Sequence, residues 1–192
     1  FEFREKNLLI TFHPVTLEYG TSVGQMDELL SVLEKLNDTQ LIITMPNSDT
    51  DGRVLFQMIK EFVAKHPHAE AFTSLGHLRY LSCIKYVDGV VGNSSSGLTE
   101  VPSFKKATVN IGDRQKGRLK AESVIDCEPN KNSIAKAITK LYSSEFQTTL
   151  TLAKNPYGVG GASDKIIRKL EKINLMEEVK KKFYDLPMSI NL

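Results

Sequence analysis

Residues 7–45 read NLLITFHPVTLEYGTSVGQMDELLSVLEKLNDTQLIITM. Asn7 to Phe12 is a short apolar run of strand type, and Leu41 to Met45 is another. Between them Met26, Leu29, Leu30, Leu33 and Leu36 recur at helical spacing, which puts one apolar stripe on a helix opening at Ser22. Gln25, three residues after Ser22, completes a capping box that would satisfy two otherwise orphaned amides. Two strands joined by a crossover of helical length pair in parallel, because a hairpin turn joins only antiparallel neighbours.

The same alternation continues along the chain. Val54, Leu55, Met58, Ile59, Phe62 and Val63 fall at helical spacing, Ala69 to Thr73 is a weaker strand, and Leu78, Leu81 and Ile84 mark a short helix. Asp88 to Gly92 is a strand that stops at glycine, followed by a helix expected from about Ser95 to Ser103. Ala107 to Ile111 and Ser123 to Cys127 are two more strands. Ile134, Ala137, Ile138 and Leu141 carry a further helix, and Ile166, Ile167, Leu170 and Ile173 another. Parallel strands with helices on both faces and right-handed crossovers give an α/β fold, a Rossmann-like doubly wound parallel sheet. We expect one such nucleotide-binding domain over residues 1–192, with a Gly- and Pro-rich linker at Lys154 to Ser163 and C-terminal helices filling roughly 154–192.

Composition excludes several classes. With 192 residues, a core can form without disulfides or metal, and two cysteines, Cys83 and Cys127, make no disulfide framework. They read as small buried apolar residues. Lys and Arg total 25 against 23 Asp and Glu, a net charge of +2, too even to point to nucleic acid or an anionic membrane as partner. No apolar run approaches the ~20 residues of a membrane span, and no signal-peptide pattern opens the chain, so we expect a cytoplasmic protein. The chain opens Phe1-Glu2-Phe3-Arg4 with no initiator methionine, as a processed N-terminus or a piece cut from a longer protein would. The tail is dense in lysine (Lys165, Lys169, Lys172, Lys180, Lys181, Lys182), and its acidic neighbours Glu171, Glu177 and Glu178 make a solvated amphipathic face the plainer reading over a polyanion site.

In doubly wound sheets ligands bind beyond the carboxyl ends of the strands. The residues there are His13-Pro14, Asn47-Ser48-Asp49, Leu75-Gly76, Asn93 to Gly97 and Gly112-Asp113-Arg114-Gln115. The fourth loop, Gly92-Asn93-Ser94-Ser95-Ser96-Gly97, runs from a strand into a helix; small residues admit a ligand to the backbone, and the amides at a helix start favour an anion. Each charge-assisted hydrogen bond to a phosphate contributes roughly 1.5–3 kcal/mol. Glu100 lies one helical turn after Ser96, on the same face, where a carboxylate suits sugar hydroxyls next to a phosphate. Nucleoside diphosphate has that layout; a capped helix with an exposed glutamate is the plainer alternative.

Other chemistries fail on spacing. The loop lacks the Gly-Lys-Ser/Thr of a P-loop and is no G-x-G-x-x-G fingerprint. As a nucleophile elbow it places Ser96 where the second glycine belongs, and no histidine follows it in the chain, so a serine hydrolase is not indicated. His66 and His68 flank Pro67 without further metal ligands, and His77 falls in the first turn of a helix. We expect no metal and no cofactor. His13 could donate to a phosphate or be structural, and Arg114 could supply a fork of donors or merely be exposed. Gly158-Val159-Gly160-Gly161 follows no strand and reads as a hinge or helix lead-in.

The segments TFHPVT (11–16), PNSDTDG (46–52), GNSSSGLTEVPSF (92–104), TVNIGDRQKGR (108–118) and NPYGVGGAS (155–163) together resemble UDP-N-acetylglucosamine 2-epimerases, most closely the hydrolysing type of bacterial sialic-acid and related surface-sugar pathways. The resemblance runs from about Asn7 to Leu170. It implies one half, the second, of a two-domain fold of GT-B type, with an N-terminal partner domain absent from this chain. It also implies UDP or UDP-N-acetylglucosamine as ligand and a homodimer for the full-length protein. Family positions that contact UDP correspond to His13, Ser94, Ser95, Glu100 and Arg114, and the backbone near Leu75 would receive the uracil.

The reaction so implied removes the C2 proton, expels UDP to leave a glycal-like intermediate and adds water, giving free N-acetylmannosamine. A base near C2 and stabilisation of the departing diphosphate are required. The loops here supply the second. For the first, Glu100 is committed to ribose while Asp49 and Asp113 stand alone, and the family's acid/base carboxylates belong mainly to the other half. We therefore expect UDP binding without turnover by this chain alone. The competing readings are a non-hydrolysing epimerase, a GT-B glycosyltransferase donor domain and a non-catalytic nucleotide-sugar-binding domain.

Overall fold

A computed structural model describes residues 2–15, 20–47 and 52–173. Six parallel strands form one sheet: β1 (Lys6–Thr11), β2 (Thr39–Thr44), β3 (Ala69–Phe72), β4 (Gly89–Gly92), β5 (Ala107–Ile111) and β6 (Val124–Cys127). Their order is β3-β2-β1-β4-β5-β6, with Leu8 in register with Leu41 on one side and Gly89 on the other. This is the doubly wound Rossmann-like topology expected from the alternating pattern, and its order reverses between β1 and β4.

Alternate residues of the central strands feed two cores. Leu8, Ile10, Leu41, Ile43, Val91 and Val109 face one way. They meet α1 (Ser22–Leu33), α2 (Gly52–Lys65), α5 (Lys131–Leu141) and α6 (Ser144–Leu152). Leu9, Ile42 and Val90 face the other way, against Cys83 and Ile84 of α3 (Gly76–Tyr86) and Val101. Burial on both faces is why these strands read as unbroken apolar runs. Each fully buried leucine or isoleucine contributes roughly 1.5–3 kcal/mol of transfer free energy.

Several local expectations need correction. The capping box does not form: Thr21 is the cap residue, Ser22 is the first residue of α1, and the Gln25 carboxamide donates to Thr21 Oγ1 at 3.2 Å. Ser22 Oγ is buried with no hydrogen-bond partner among the described residues. The helix expected from Ser95 to Ser103 divides at Glu100 into α4 (Ser96–Thr99) and a 3₁₀ turn (Val101–Phe104), because Pro102 has no amide to extend the α-helical ladder. Leu78 is 78% exposed, leaving the core face of α3 to Cys83 and Ile84. Helix α6 has no counterpart in the sequence reading; only Phe146 and Leu150 are buried on it, and its Thr-rich remainder hides the period. Ser143 caps it, accepting from Phe146 N–H at 3.3 Å.

The chain divides into two units, Phe1–Gly158 and Val159–Leu192. Within the expected linker, the Asn155 carboxamide donates to Thr99 O at 2.8 Å and Ser103 Oγ at 2.7 Å, and Tyr157 donates to Leu119 O at 3.2 Å. These bonds fasten residues 155–157 to the first unit. The second unit carries α7 (Ala162–Leu170), led in by Gly161 at φ 76°, and buries no side chain of that helix. Lys180, Lys181, Lys182, Glu177 and Glu178 lie outside the described residues. No helix among the described residues is long and apolar enough to cross a membrane.

Candidate functional site

The carboxyl ends of β1, β4 and β5 bring the expected loops to one edge of the sheet, on both sides of the topological switch. Gly92 ends β4 at φ +145°, and a Cβ there would lie 1.9 Å from Thr11 O. Only glycine lets the chain leave β4 this close to β1. Five residues on, a Cβ on Gly97 would meet Thr108 Cγ2 at 2.6 Å, so α4 sits directly on β5, where Thr108 Oγ1 donates to Gly97 O at 2.7 Å.

The residues expected at the site take the following places. His13 is half-buried just past β1; its Nδ1 accepts from Asn47 N–H at 3.3 Å, which makes Nε2 the proton-bearing nitrogen of the neutral ring. The amides of Ser94 and Ser95 donate to no group among the described residues. The Ser95 carbonyl accepts from Leu98 N–H at 2.9 Å and Thr99 N–H at 3.0 Å. Glu100 takes a hydrogen bond from Ser96 Oγ at 2.5 Å, so the carboxylate and the serine loop do share one face. Arg114 reaches back from the loop after β5, its Nη1 donating to Asn93 O at 3.1 Å. Asp49 lies outside the described residues.

A hollow of about 330 Å³ opens beyond β1, β2 and β4, lined among others by Thr11, Thr44, Leu75, Tyr80, Ser94 and Ser96. Leu75 and Ser94 border it; His13, Ser95, Glu100 and Arg114 are not among its walls. Burial pushes up the Tyr80 hydroxyl, which sits near Ser96 and Thr11. A second hollow of about 520 Å³ lies past β5 and β6, lined by Asp113, Asp126, Cys127 and Glu128 among others, and was not foreseen from the sequence. Cys127 is therefore half-buried at a rim, in contrast to Cys83, which the core encloses. Among the described residues, no group of three or more His, Cys, Asp or Glu side chains is arranged to hold a metal ion.

Asn93 and Gln115, nearly fully buried at 1% and 2% exposure, also belong to this edge, though neither stands out in the sequence. Their signal is visible only in three dimensions: Gln115 Nε2 donates to Asn93 O at 2.7 Å, joining Arg114 on the same carbonyl.

The family model described as UDP-N-acetylglucosamine 2-epimerase matches residues 2–171. The chain belongs to the UDP-N-acetylglucosamine 2-epimerase family. Among this family's relatives, it is 41% identical over 180 residues to the GDP/UDP-N,N'-diacetylbacillosamine 2-epimerase (hydrolyzing) of Campylobacter jejuni, covering 93% of this chain and 46% of that protein. It is 37% identical to the polysialic acid biosynthesis protein P7 of Escherichia coli, covering 95% of this chain and 47% of that one. The structure of S. aureus MnaA with UDP superposes with a TM-score of 0.71 at 18% identity, over 95% of this chain and 48% of that one, a likeness of fold. The chain thus spans about half the length of the curated epimerase relatives it matches, and its fold corresponds to one half of a GT-B-like epimerase.

Proposed function

We propose that this chain forms the UDP-binding side of a hydrolysing UDP-N-acetylglucosamine 2-epimerase. The observation that carries the reading is the convergence of the loops after β1, β4 and β5, with His13, Ser94, Ser95, Glu100 and Arg114 on them, at the edge where a doubly wound sheet binds its ligand. The Ser94 and Ser95 amides and the Arg114 guanidinium supply donors for the diphosphate, with His13 Nε2 as a further one. Glu100 accepts from the ribose hydroxyls, and the backbone at Leu75, bordering the 330 Å³ hollow, receives the uracil.

In the complete reaction the C2 proton is taken by a base, the C1–O bond breaks with its electron pair leaving on UDP, and water adds to the glycal-like intermediate to give free N-acetylmannosamine. The role of this chain's residues is to hold UDP and stabilise the charge that grows on it. The C2 base belongs to the part of the protein that corresponds to the other half of the relatives. The hydrolysing outcome is favoured over epimerisation without hydrolysis because the 41%-identical relative is named as hydrolyzing. That name also makes UDP-N,N'-diacetylbacillosamine a second sugar nucleotide to test. We place the protein in the cytoplasm, in a sialic-acid or related surface-sugar pathway, and as a homodimer when full-length; the unpaired state of Cys83 and Cys127 fits a reducing compartment.

Calorimetric titration with UDP, with ADP as control, tests the site. A dissociation constant on the order of 0.1–1 mM, about 4–5.5 kcal/mol, is expected for UDP and weaker binding for ADP. No preference for UDP overturns the reading. Release of UDP from UDP-N-acetylglucosamine by this chain alone would show that the base is present here after all.

A further inference from the structure

Asn93 is 1% exposed, and every polar group it carries is engaged. Its Oδ1 accepts from His13 N–H at 2.8 Å and its Nδ2 donates to His13 O at 2.8 Å, a two-bond ring between residues 80 apart in sequence. Its own amide donates to Thr11 O at 3.2 Å. Its carbonyl accepts twice, from Arg114 Nη1 at 3.1 Å and from Gln115 Nε2 at 2.7 Å. Three loops, after β1, β4 and β5, therefore meet on one residue.

A tie meant only to close the sheet edge would need the bonds to Thr11 and His13 and no more. The carbonyl side goes further, because it fixes the direction of a guanidinium. Arginine carries five N–H donors in a rigid planar fork, so anchoring Nη1 narrows the directions in which the others point. Gln115 braces the same carbonyl with its Nε2 while its Oε1 is buried with no partner among the described residues. The carboxamide ring on His13 fixes the Asn93 peptide, and the Asn93 peptide fixes Arg114.

We propose that Asn93 is a positioning residue of the nucleotide site, through which His13 and Arg114 are held at one spacing and act on the ligand as a unit. This rests on the nucleotide reading given above. A residue without the carboxamide loses both bonds to the His13 backbone and holds the Asn93 peptide only through Thr11, Arg114 and Gln115, which loosens the spacing between the His13 and Arg114 loops.

The test is a double-mutant cycle on the 192-residue chain, read by UDP calorimetry, with NMR of the ligand-free protein alongside. Asn93→Ala is expected to weaken UDP binding about tenfold, and His13→Ala to cost about as much in the wild-type background but less than about twofold in the Asn93→Ala background. Fully additive effects overturn the proposal, since a merely structural asparagine would lower thermal stability without coupling to His13. In the ligand-free arm, Asn93→Ala is expected to shift both the His13 amide and the Arg114 guanidinium resonances; an unmoved Arg114 signal overturns the proposal whether or not UDP binds. Absence of UDP binding to the wild type would instead defeat the nucleotide reading, with the NMR arm still deciding this one. Should Asn93→Ala fail to fold, Asn93→Asp keeps the acceptor for His13 N–H and removes the donor to His13 O; it is expected to show the same two resonance shifts at smaller amplitude, and an unmoved Arg114 overturns the proposal there too.

Discussion

The Ser96 hydroxyl donates to Glu100 Oε2 at 2.5 Å, across the single turn of α4. One oxygen of the carboxylate is thereby oriented by the loop that precedes it, and on the nucleotide reading proposed above the other, Oε1, meets the ribose. Glu100→Gln keeps the size of the side chain but not its charge, and a neutral acceptor binds a diol more weakly. UDP affinity is expected to fall about tenfold, the equivalent of roughly 1.4 kcal/mol, with inorganic pyrophosphate affinity unchanged. Calorimetry with both ligands checks this. Equal loss for the two would place Glu100 outside the ribose site.

Gly92→Ala should be among the most damaging single changes. Its Cβ would lie 1.9 Å from Thr11 O and 2.6 Å from the Thr11 carbonyl carbon, at a φ of +145° that L residues rarely adopt. The neighbour is backbone of the central strand, so relief requires breaking the β1–β4 pairing. A loss of about 3 kcal/mol or more is expected, measured as a urea-midpoint shift at constant slope. A change below 1 kcal/mol on that scale would mean that β4 leaves the sheet by another route.

Leu141 is fully buried at the end of α5, in the core cluster shared with Val91 and Ala107. Leu141→Ala leaves a cavity the surrounding strands cannot fill, and about 2–5 kcal/mol of stability should go with it. UDP affinity at low temperature should be unaffected, since Leu141 packs beside Gly89 at the start of β4, at the opposite end of the sheet from the carboxyl-end loops. Equilibrium unfolding and calorimetry on the same preparation separate the two effects.

Alkaline pH should weaken the fold through its thiols. Burial pushes Cys83 up to about 11 and Cys127 up to about 12, from an ordinary value of 9.0. Above pH 9 the unfolded chain loses these protons while the folded chain keeps them, so the unfolded state binds fewer protons and stability falls as pH rises. The decline begins near 9 and continues towards 11 for Cys83 and 12 for Cys127. Urea midpoints measured from pH 7 upward should show it, and Cys83→Ala should flatten part of the slope. A flat profile in the wild type would mean that these thiols ionise as freely folded as unfolded.

Much of the fold was readable in the apolar runs because the central strands are enclosed on both faces, so Leu8, Leu9 and Ile10 appear together where a half-exposed strand would alternate. The helix breaks were less legible. Pro102 was visible, yet the apolar pattern ran on through Val101 and Phe104, and the 3₁₀ turn uses those same residues to pack against α3. The edge loops were legible as polar segments, but not what binds them together. Asn93 and Gln115 look like any loop amides in the sequence; their bonds join positions 22 to 80 residues apart, which no local spacing encodes.

The strand order has a consequence in time. β1 pairs with β2 across 33 positions, whereas its pairing with β4, and the His13–Asn93 ring beyond it, must join segments about 80 apart. Chain closure over the longer loop is the slower event, and pairings of high sequence separation govern how fast such sheets form. A chain still emerging from the ribosome can assemble β1 to β3 with their helices while Asn93 has yet to be made. On the nucleotide reading proposed above, the site is expected to be completed late in folding, and the first appearance of UDP binding during refolding would time the closure of the sheet across its switch point.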